Sequence, residues 1–258
     1  MSQSFLLDAN LETQALPFTV SVASIEDMPD VARVRAITYG KHLKDLALKL
    51  SKPESDDHDV GCEVLIARSK FDDSILGTLR THANIVKPVP LQASVDLPQK
   101  FDHSKMVEAT RLCVLGSENS SVVRAALFKA LFLYCLSQNA DWIMAVGRRP
   151  VDRIYDSMYF ADVLDKNAFY PMSHVGGIPH RAVYFSVPGA QALWAEKRHP
   201  LYNFVFETNH PDIDLSDAQR LNNDWATPMS SPKVAPFRKP ELASNPDSWT
   251  PDPIPFAA

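Results

Sequence analysis

The stretch KMVEATRLCVLGSENSSVVRAALFKALF, residues 105–132, decides the fold of this chain. Residues 105–115 are apolar and rich in β-branched side chains, which predicts a strand, and residues 122–139 predict a broad, mostly buried helix. Glu108, Thr110 and Arg111 interrupt the strand within four residues. Because charges are expensive to bury in a sheet, either this strand is exposed or its charged residues have a task.

Further strands and helices are predicted on both sides of this stretch. Alternating β-branched residues predict strands, and apolar stripes of helical period predict helices. Predicted strands cover 17–24, 61–68, 75–83, 141–147 and 180–188. Predicted helices cover 26–50 and 150–160, with a partly helical close over 189–206. This order predicts one α/β domain over residues 1–206, with a mixed sheet and helices on both faces. The Pro-rich residues 207–258 predict an extended tail, either wrapped on the domain or mobile, rather than a second domain.

Composition narrows the classes of function. The chain has 258 residues, a net charge of −5 and a pI near 5.9, which disfavours a nucleic-acid-binding surface. Cys62, Cys113 and Cys135 show neither metal-ligand spacing nor a disulfide framework, so we expect reduced thiols and no metal site. We find no secretion signal and no apolar run of about 18 residues, which predicts a cytoplasmic protein without a transmembrane segment.

Several polar residues break the apolar patterns. Arg35 lies on the stripe of the first helix with Tyr39 one turn later, Asp56 and Asp59 follow in an acidic loop, and Arg80 closes GTLR (77–80). Each has an ordinary structural explanation: a snorkelling arginine, solvated loop carboxylates, a bulge glycine, or an ion pair. Strict strand alternation would also place Glu108 and Arg111 on opposite faces unless a bulge intervenes.

Taken in order, these residues resemble the shared motif of the acyl-homoserine-lactone synthases and the N-acyl amino acid synthases. The motif has an arginine with an aromatic one turn later, a D-x-x-D pair, G-x-x-R and E-x-[S/T]-R. In this sequence its members fall at Arg35 with Tyr39, Asp56 with Asp59, Gly77 to Arg80, and Glu108, Thr110 and Arg111.

The resemblance implies the fold of GCN5-related N-acetyltransferases. It also implies transfer of an acyl chain from a thioester on acyl carrier protein to an α-amine, with no tightly bound cofactor. Lactone synthases carry a tryptophan before the acidic pair, whereas the first tryptophan here is Trp142, which favours the amino-acid branch. The loop 115–123 lacks the second glycine of a coenzyme A pyrophosphate cradle, which favours a carrier-protein donor over acyl-CoA.

Aminolysis of a thioester needs a group that takes the proton of the amine. Glu108 is the predicted base, directly or through water, and Arg111 completes the predicted catalytic pair. Arg35, Tyr39, Asp56, Asp59, Arg80 and Thr110 form the predicted substrate network. Backbone N–H groups at 111–114 are the predicted oxyanion donors.

A long acyl chain also needs an apolar cleft. Its predicted lining is Phe128, Phe132, Trp142 and Met144, with Tyr134, Tyr155 and Phe160 also available. A basic patch for an acidic carrier protein is predicted at Arg124, Lys129, Arg148, Arg149 and Arg153.

Three other functions fit the same residues. The chain could be a lactone-type autoinducer synthase or a small-molecule acetyltransferase that uses acetyl-CoA. It could also be a lipid- or amino-acid-binding module without catalysis, in which Glu108→Gln would change no function.

Overall fold

One mixed sheet forms the centre of the protein. The structure, a computed structural model, describes residues 12–116 and 118–221. The strands are β1 Glu12–Thr13, β2 Phe18–Val22, β3 Cys62–Ser69, β4 Ile75–Ala83, β5 Met106–Val114, β6 Trp142–Gly147, β7 Ala161–Asp162, β8 Tyr170–Met172, β9 Ile178–Ser186 and β10 Thr208–Asn209. The helices are α1 Met28–Gly40, α2 Lys44–Lys49, α3 Ser120–Ser137, α4 Val151–Ser157 and α5 Ala190–Glu196.

The main sheet has the order β2-β3-β4-β5-β6-β9-β7, with β8 added beside β9. Its neighbours are antiparallel except β5 and β6, which run parallel from Met106–Trp142 to Ala109–Ala145. The chain makes the parallel crossover through α3, as a βαβ connection requires.

Helices cover both faces of this sheet. Buried side chains of α3, such as Leu127 and Ala130, pack with Val107 and Ala109 of β5 in one core cluster. On the opposite face, Val31 of α1 packs with Cys113 and the apolar side chains of β3. The predicted α/β architecture with helices on both faces is therefore confirmed.

Among the described residues, helix α3 is the one helix whose length and apolar composition would allow it to cross a membrane. More than half of it is buried against the sheet in this fold, including Phe128 and Tyr134. The core of the domain accounts for its apolar character.

Several details differ from the prediction. The helix expected over 26–50 ends at Gly40 and resumes at Lys44, and β7 and β8 were not predicted. The described part of the tail, residues 207–221, takes the wrapped arrangement, since β10 pairs with β1 and Ile213 bridges to Val20 of β2. The rest of the predicted tail, 222–258, lies outside the described residues.

Candidate functional site

A β-bulge in β5 brings the polar residues of this strand to one face. The β4–β5 ladder pairs Thr78 with Cys113 but Arg80 with Thr110, so β5 carries one extra residue. Arg111 is that extra residue, and its φ of 53° lies in the left-handed region. A bulge of this kind reverses the strand alternation beyond it. Thr110 and Arg111 therefore share the face of Glu108, while Leu112 packs on the α3 side.

A buried ion-pair network, which we call the arginine network, lies on this face. Arg35 of α1 donates through Nη1 to Asp57 Oδ1 and Oδ2 at 2.9 and 2.8 Å. Arg80 Nη1 donates to Asp57 Oδ1 at 3.1 Å and to Glu54 Oε2 at 3.2 Å. Arg111 holds Glu54 with two bonds, Nε–Oε2 at 2.8 Å and Nη2–Oε1 at 2.7 Å. The network joins α1, the loop after α2, β4 and β5.

The carboxylates of this network are Glu54 and Asp57, which corrects the expectation that Asp56 and Asp59 fill these places. Asp59 binds Lys87 at the surface. Asp56 lies 4.0 Å from Arg80 and 3.7 Å from Lys87, with a half-exposed side chain. The pairs 54/57 and 56/59 have the same spacing. Only the turn at Ser55–His58 decides which pair points inward, and there Asp57 Oδ2 accepts a bond from the Glu54 N–H.

The arginines set the protonation of the two inward carboxylates. Burial by itself raises the pKa of Glu54 and of Asp57, but their arginine neighbours outweigh it and hold both pKa values below the usual range. The pKa of Arg111 is raised, because its bonds to Glu54 outweigh burial. Tyr39 lies beside Arg111, and burial raises the pKa of this phenol to about 12. Glu54, Asp57 and Arg111 are therefore ionised at neutral pH.

Thr110 is bound within the same cluster. Its Oγ1 accepts from Arg80 Nε at 3.2 Å and lies 3.1 Å from His82 Nε2. Burial and the nearby cations lower the pKa of His82 to about 3, so this imidazole is neutral. Thr110 thus links Arg80 to the strand that carries the bulge.

A cavity of about 660 Å³ opens where β5 and β6 separate beyond Ala109 and Ala145. Its walls come from the two diverging strands, the end of α1, α2, the start of α4 and the turn before β9. Its lining includes Tyr39, Thr110, Arg111, Leu112, Val146, Gly147, Tyr155 and His174. Gly147 is required there, since a Cβ would lie 2.8 Å from the ring of Tyr155. The volume suits a mid-sized organic ligand.

Most of the aromatic residues predicted for an acyl cleft do not line this cavity. Among the additional candidates, Tyr155 does. Phe128 and Phe132 belong to the core between α3 and the sheet, with Tyr134 and Phe160. Trp142 and Met144 pack in a separate cluster around Phe101. These side chains were chosen for apolarity, which does not separate a core position from a cleft position.

Three of the five residues of the predicted basic patch lie together in the structure. Arg124, Arg148 and Arg149 line the cavity, together with Lys41, which was not predicted. Arg153 is exposed but does not line the cavity. Lys129 is buried in the core, where Nζ donates to the Phe204 and Thr208 carbonyls and contacts His210, so it takes no part in a surface patch.

Glu108 lies behind the cavity wall. Its side chain is fully buried, and Oε2 accepts from the Leu91 N–H at 2.7 Å. Oε1 has no hydrogen bond among the described residues. Burial raises the pKa of Glu108 to about 8, although Arg80 and Arg111 oppose the shift. Direct contact between this carboxylate and a ligand in the cavity is excluded in this conformation.

His174 is the residue between Glu108 and the cavity. It lies in the turn Ser173–Val175 before β9, and its Nε2 is 3.7 Å from Glu108 Oε1. Arg111 Nη2 donates to its carbonyl at 3.2 Å. Sequence reasoning missed this histidine, because the only signal is a turn followed by Gly176 and Gly177, which carries no chemistry by itself.

The layered sheet, the bulge and the separated parallel strands define the fold of the GCN5-related N-acetyltransferases, and the predicted fold class is confirmed. The chain is similar to the solved structure of FeeM, an N-acyl amino acid synthase from uncultured soil microbes. The TM-score is 0.53 with 16% identity, covering 70% of this chain and 96% of that chain.

Two further solved structures match less well. BjaI, a CoA-dependent acyl-homoserine lactone synthase, has a TM-score of 0.48 at 13% identity, over 75% of this chain and 93% of that one. A GNAT-family acetyltransferase from Staphylococcus aureus Mu50 has a TM-score of 0.47 at 13% identity, over 66% and 99%. No protein-family model and no curated protein sequence matches the chain.

Proposed function

We propose that this protein is an N-acyltransferase that moves an acyl group from the thioester of an acyl carrier protein to the α-amine of an amino acid. The observation that carries the proposal is the Arg111 guanidinium in the cavity wall, whose Nη1 has no hydrogen bond among the described residues. The geometry of the cavity, the charge on its rim and the fold that FeeM shares with the chain add support.

Arg111 is held at the cavity by the arginine network. Three buried guanidinium groups, on Arg35, Arg80 and Arg111, meet two direct carboxylate partners, Glu54 and Asp57. Asp56 also lies 4.0 Å from Arg80, so the carboxylates match the arginines in number, and the network holds Arg111 in place at the cavity.

Arg111 is the member of the network that can meet this ligand. It lines the cavity, and its Nη1 makes no hydrogen bond among the described residues, while Arg35 and Arg80 lie behind it. The carboxylate of an amino acid would take that free donor in a charge-assisted hydrogen bond.

The separated ends of β5 and β6 suit a thioester. Their ladder stops at Ala109 and Ala145, and the strand ends beyond these residues border the cavity. Backbone N–H groups of the bulged segment, at 111 and 112, supply the oxyanion donors in this proposal. In this proposal the amine attacks the thioester directly, without an acyl-enzyme, because the cavity holds both reactants together.

The rim of the cavity suits a phosphopantetheine on an acidic carrier protein. Four cationic residues of the lining, which we call the rim, are Lys41, Arg124, Arg148 and Arg149. The Lys41 amine lies 3.6 Å from the position that a Cβ would take on Gly116, at the start of the loop before α3. A single phosphate needs one or two cations of this kind.

Mass spectrometry of lipid extracts tests the proposal. Bacteria that express the protein should contain new acylated amino acids with a free carboxylate, and these should disappear with Arg111→Gln. Asp59→Asn is the matched control, because Asp59 pairs at the surface, and its extracts should equal those of the parent protein.

Other products would contradict the proposal. A lactone headgroup would identify an autoinducer synthase. Absence of any acylated amine, both in cells and with purified protein, acyl carrier protein thioester and amino acids, would exclude the N-acyltransferase.

A further inference from the structure

We propose that His174 accepts the proton of the acceptor amine at the cavity wall, and that Glu108, behind the ring, orients the imidazole and balances its charge. This inference rests on the proposed N-acyltransfer. It names the group that touches the amine, a role that Glu108 cannot fill from its buried position.

Two unsatisfied buried groups face each other at this point. Glu108 Oε1 and both ring nitrogens of His174 have no hydrogen bond among the described residues, and Oε1 lies 3.7 Å from Nε2. Leaving a buried polar atom unpaired is costly, so such groups usually have a functional reason. A small rotation of the ring shortens this contact to a hydrogen bond, which leaves Nδ1 as the second polar atom of the ring.

The surroundings hold the turn of His174 in place. Ser173 N–H donates to Ser94 Oγ at 2.9 Å, and Arg111 Nη2 donates to the His174 carbonyl. Leu91 N–H fixes the other oxygen of Glu108. Glu108 is therefore adjacent to the ring of His174, and His174 is a lining residue of the cavity, which is the order of a base that is oriented by a third group.

The proposed reaction forms a C–N bond, breaks a C–S bond and releases two protons from the acceptor nitrogen. The acceptor ammonium loses one proton to His174, and the amine nitrogen attacks the thioester carbonyl, so a C–N bond forms. The C–S bond then breaks, and the nitrogen loses a second proton. One of the two protons goes to the departing thiolate and the other to solvent, which leaves an amide and a thiol.

The charges around the pair set its pH dependence. Burial, with Arg111, His180 and Arg80, lowers the pKa of His174 to about 4, against a small opposing effect of Glu54. Glu108 is faced by His174, Arg80 and Arg111. Near neutral pH the ring is neutral and Glu108 holds a proton. Above about pH 8 Glu108 ionises, its carboxylate then stabilises an imidazolium beside it, and transfer accelerates.

The test is the pH profile of kcat/KM, measured with the purified full-length protein, an acyl carrier protein thioester and an amino acid that the parent protein acylates. His174→Gln should lower kcat/KM by about 100-fold or more, with KM for the donor little changed. In Glu108→Gln the rise of kcat/KM near pH 8 that depends on Glu108 should be absent. The rise of kcat/KM that comes from deprotonation of the amine substrate should remain in the parent protein and in every variant. Exposed His103 offers the control His103→Gln, which should keep the parent profile.

Two further measurements separate a catalytic from a structural role. Imidazole in the buffer should restore part of the activity of His174→Ala, which a merely structural loss does not permit. The ring nitrogens of His174 in the parent protein, followed by NMR between pH 6 and pH 9, should shift as Glu108 titrates and should lose that shift in Glu108→Gln.

Failure of this inference is distinct from failure of the proposed function. If the parent protein acylates amino acids while His174→Gln keeps its rate and profile, only the role of His174 is overturned. If the parent protein acylates no amine, the proposed function falls and the role of His174 falls with it.

Discussion

Arg111 and Glu54 are 57 positions apart in the sequence, and they form a two-point ion pair across the site. Glu54 lies on the loop after α2, and Arg111 lies at the bulge of β5 beside the cavity. The pair fixes the loop over the sheet and uses two of the three nitrogens of the guanidinium, so the third, Nη1, is left without a hydrogen bond among the described residues. One contact thus serves both the architecture and the proposed recognition of a carboxylate.

Two aspartates of the same loop should differ sharply in their effect on stability. Asp57→Asn removes a buried partner of Arg35 and Arg80, and it should lower the free energy of unfolding by about 3 kcal/mol or more. Asp59→Asn removes a surface pair with Lys87 and should cost less than about 1 kcal/mol. Urea unfolding measures both. Equal losses would contradict the assignment of Asp57 to the network.

The contribution of Asp57 to the free energy of unfolding should be lost in acid. The pKa of Asp57 is lower in the folded than in the unfolded chain. Its contribution is therefore complete above the unfolded pKa of about 4 and is lost as pH falls through the folded pKa. The gap in unfolding free energy between the parent protein and Asp57→Asn should narrow from pH 5 downward. A gap that stays constant to pH 2 would contradict this.

Glu108 should show the opposite trend. Its pKa is raised by burial to about 8 in the folded protein. Its contribution to stability is complete below the unfolded pKa of about 4.3 and is lost as pH rises through 8. Glu108→Gln should therefore gain stability relative to the parent protein between pH 5 and pH 8, and level off above that. A difference in unfolding free energy between the two proteins that stays constant over this pH range would show that the carboxyl is not desolvated.

The free nitrogen of Arg111 should discriminate between acceptors. Amino acids should be acylated with a kcat/KM about 10- to 100-fold higher than their carboxamides, which corresponds to one charge-assisted hydrogen bond. The double variant Arg111→Gln/Glu54→Gln removes both members of the two-point pair and should abolish this preference. Arg33→Gln, an exposed position on α1, is the control. A preference unchanged in the double variant would exclude Arg111 as the carboxylate site.

The cationic rim should govern the use of the carrier protein. Lys41→Glu and Arg148→Glu should each lower kcat/KM for an acyl carrier protein thioester several-fold, with the loss shrinking at high salt. The same variants should affect an acyl-pantetheine without carrier protein much less. Arg33→Glu reverses a charge on the same helix α1 outside the cavity and should leave both rates unchanged. Equal losses with both donors would contradict docking at this rim.

The sequence by itself determined the layered α/β fold, because strands and helices each produce a periodic pattern of apolar residues over many positions. The same local reasoning found Arg35, Arg80, Thr110 and Arg111, whose charge or polarity breaks those patterns. Only the tertiary structure decided the face on which each lies. The bulge at Arg111 is a single left-handed residue, and without it Glu108 and Arg111 would point to opposite faces.

Tertiary structure also decided which carboxylates turn inward and which residues meet the cavity. Glu54 with Asp57 and Asp56 with Asp59 have equal spacing, and a single turn selects the first pair. Phe128 and Trp142 are apolar enough for a cleft, yet they pack in cores, while His174 reaches the cavity from a turn 66 positions beyond Glu108. Local sequence fixes the character of a side chain, whereas the packing of distant elements fixes its neighbours, and the proposed chemistry depends on those neighbours.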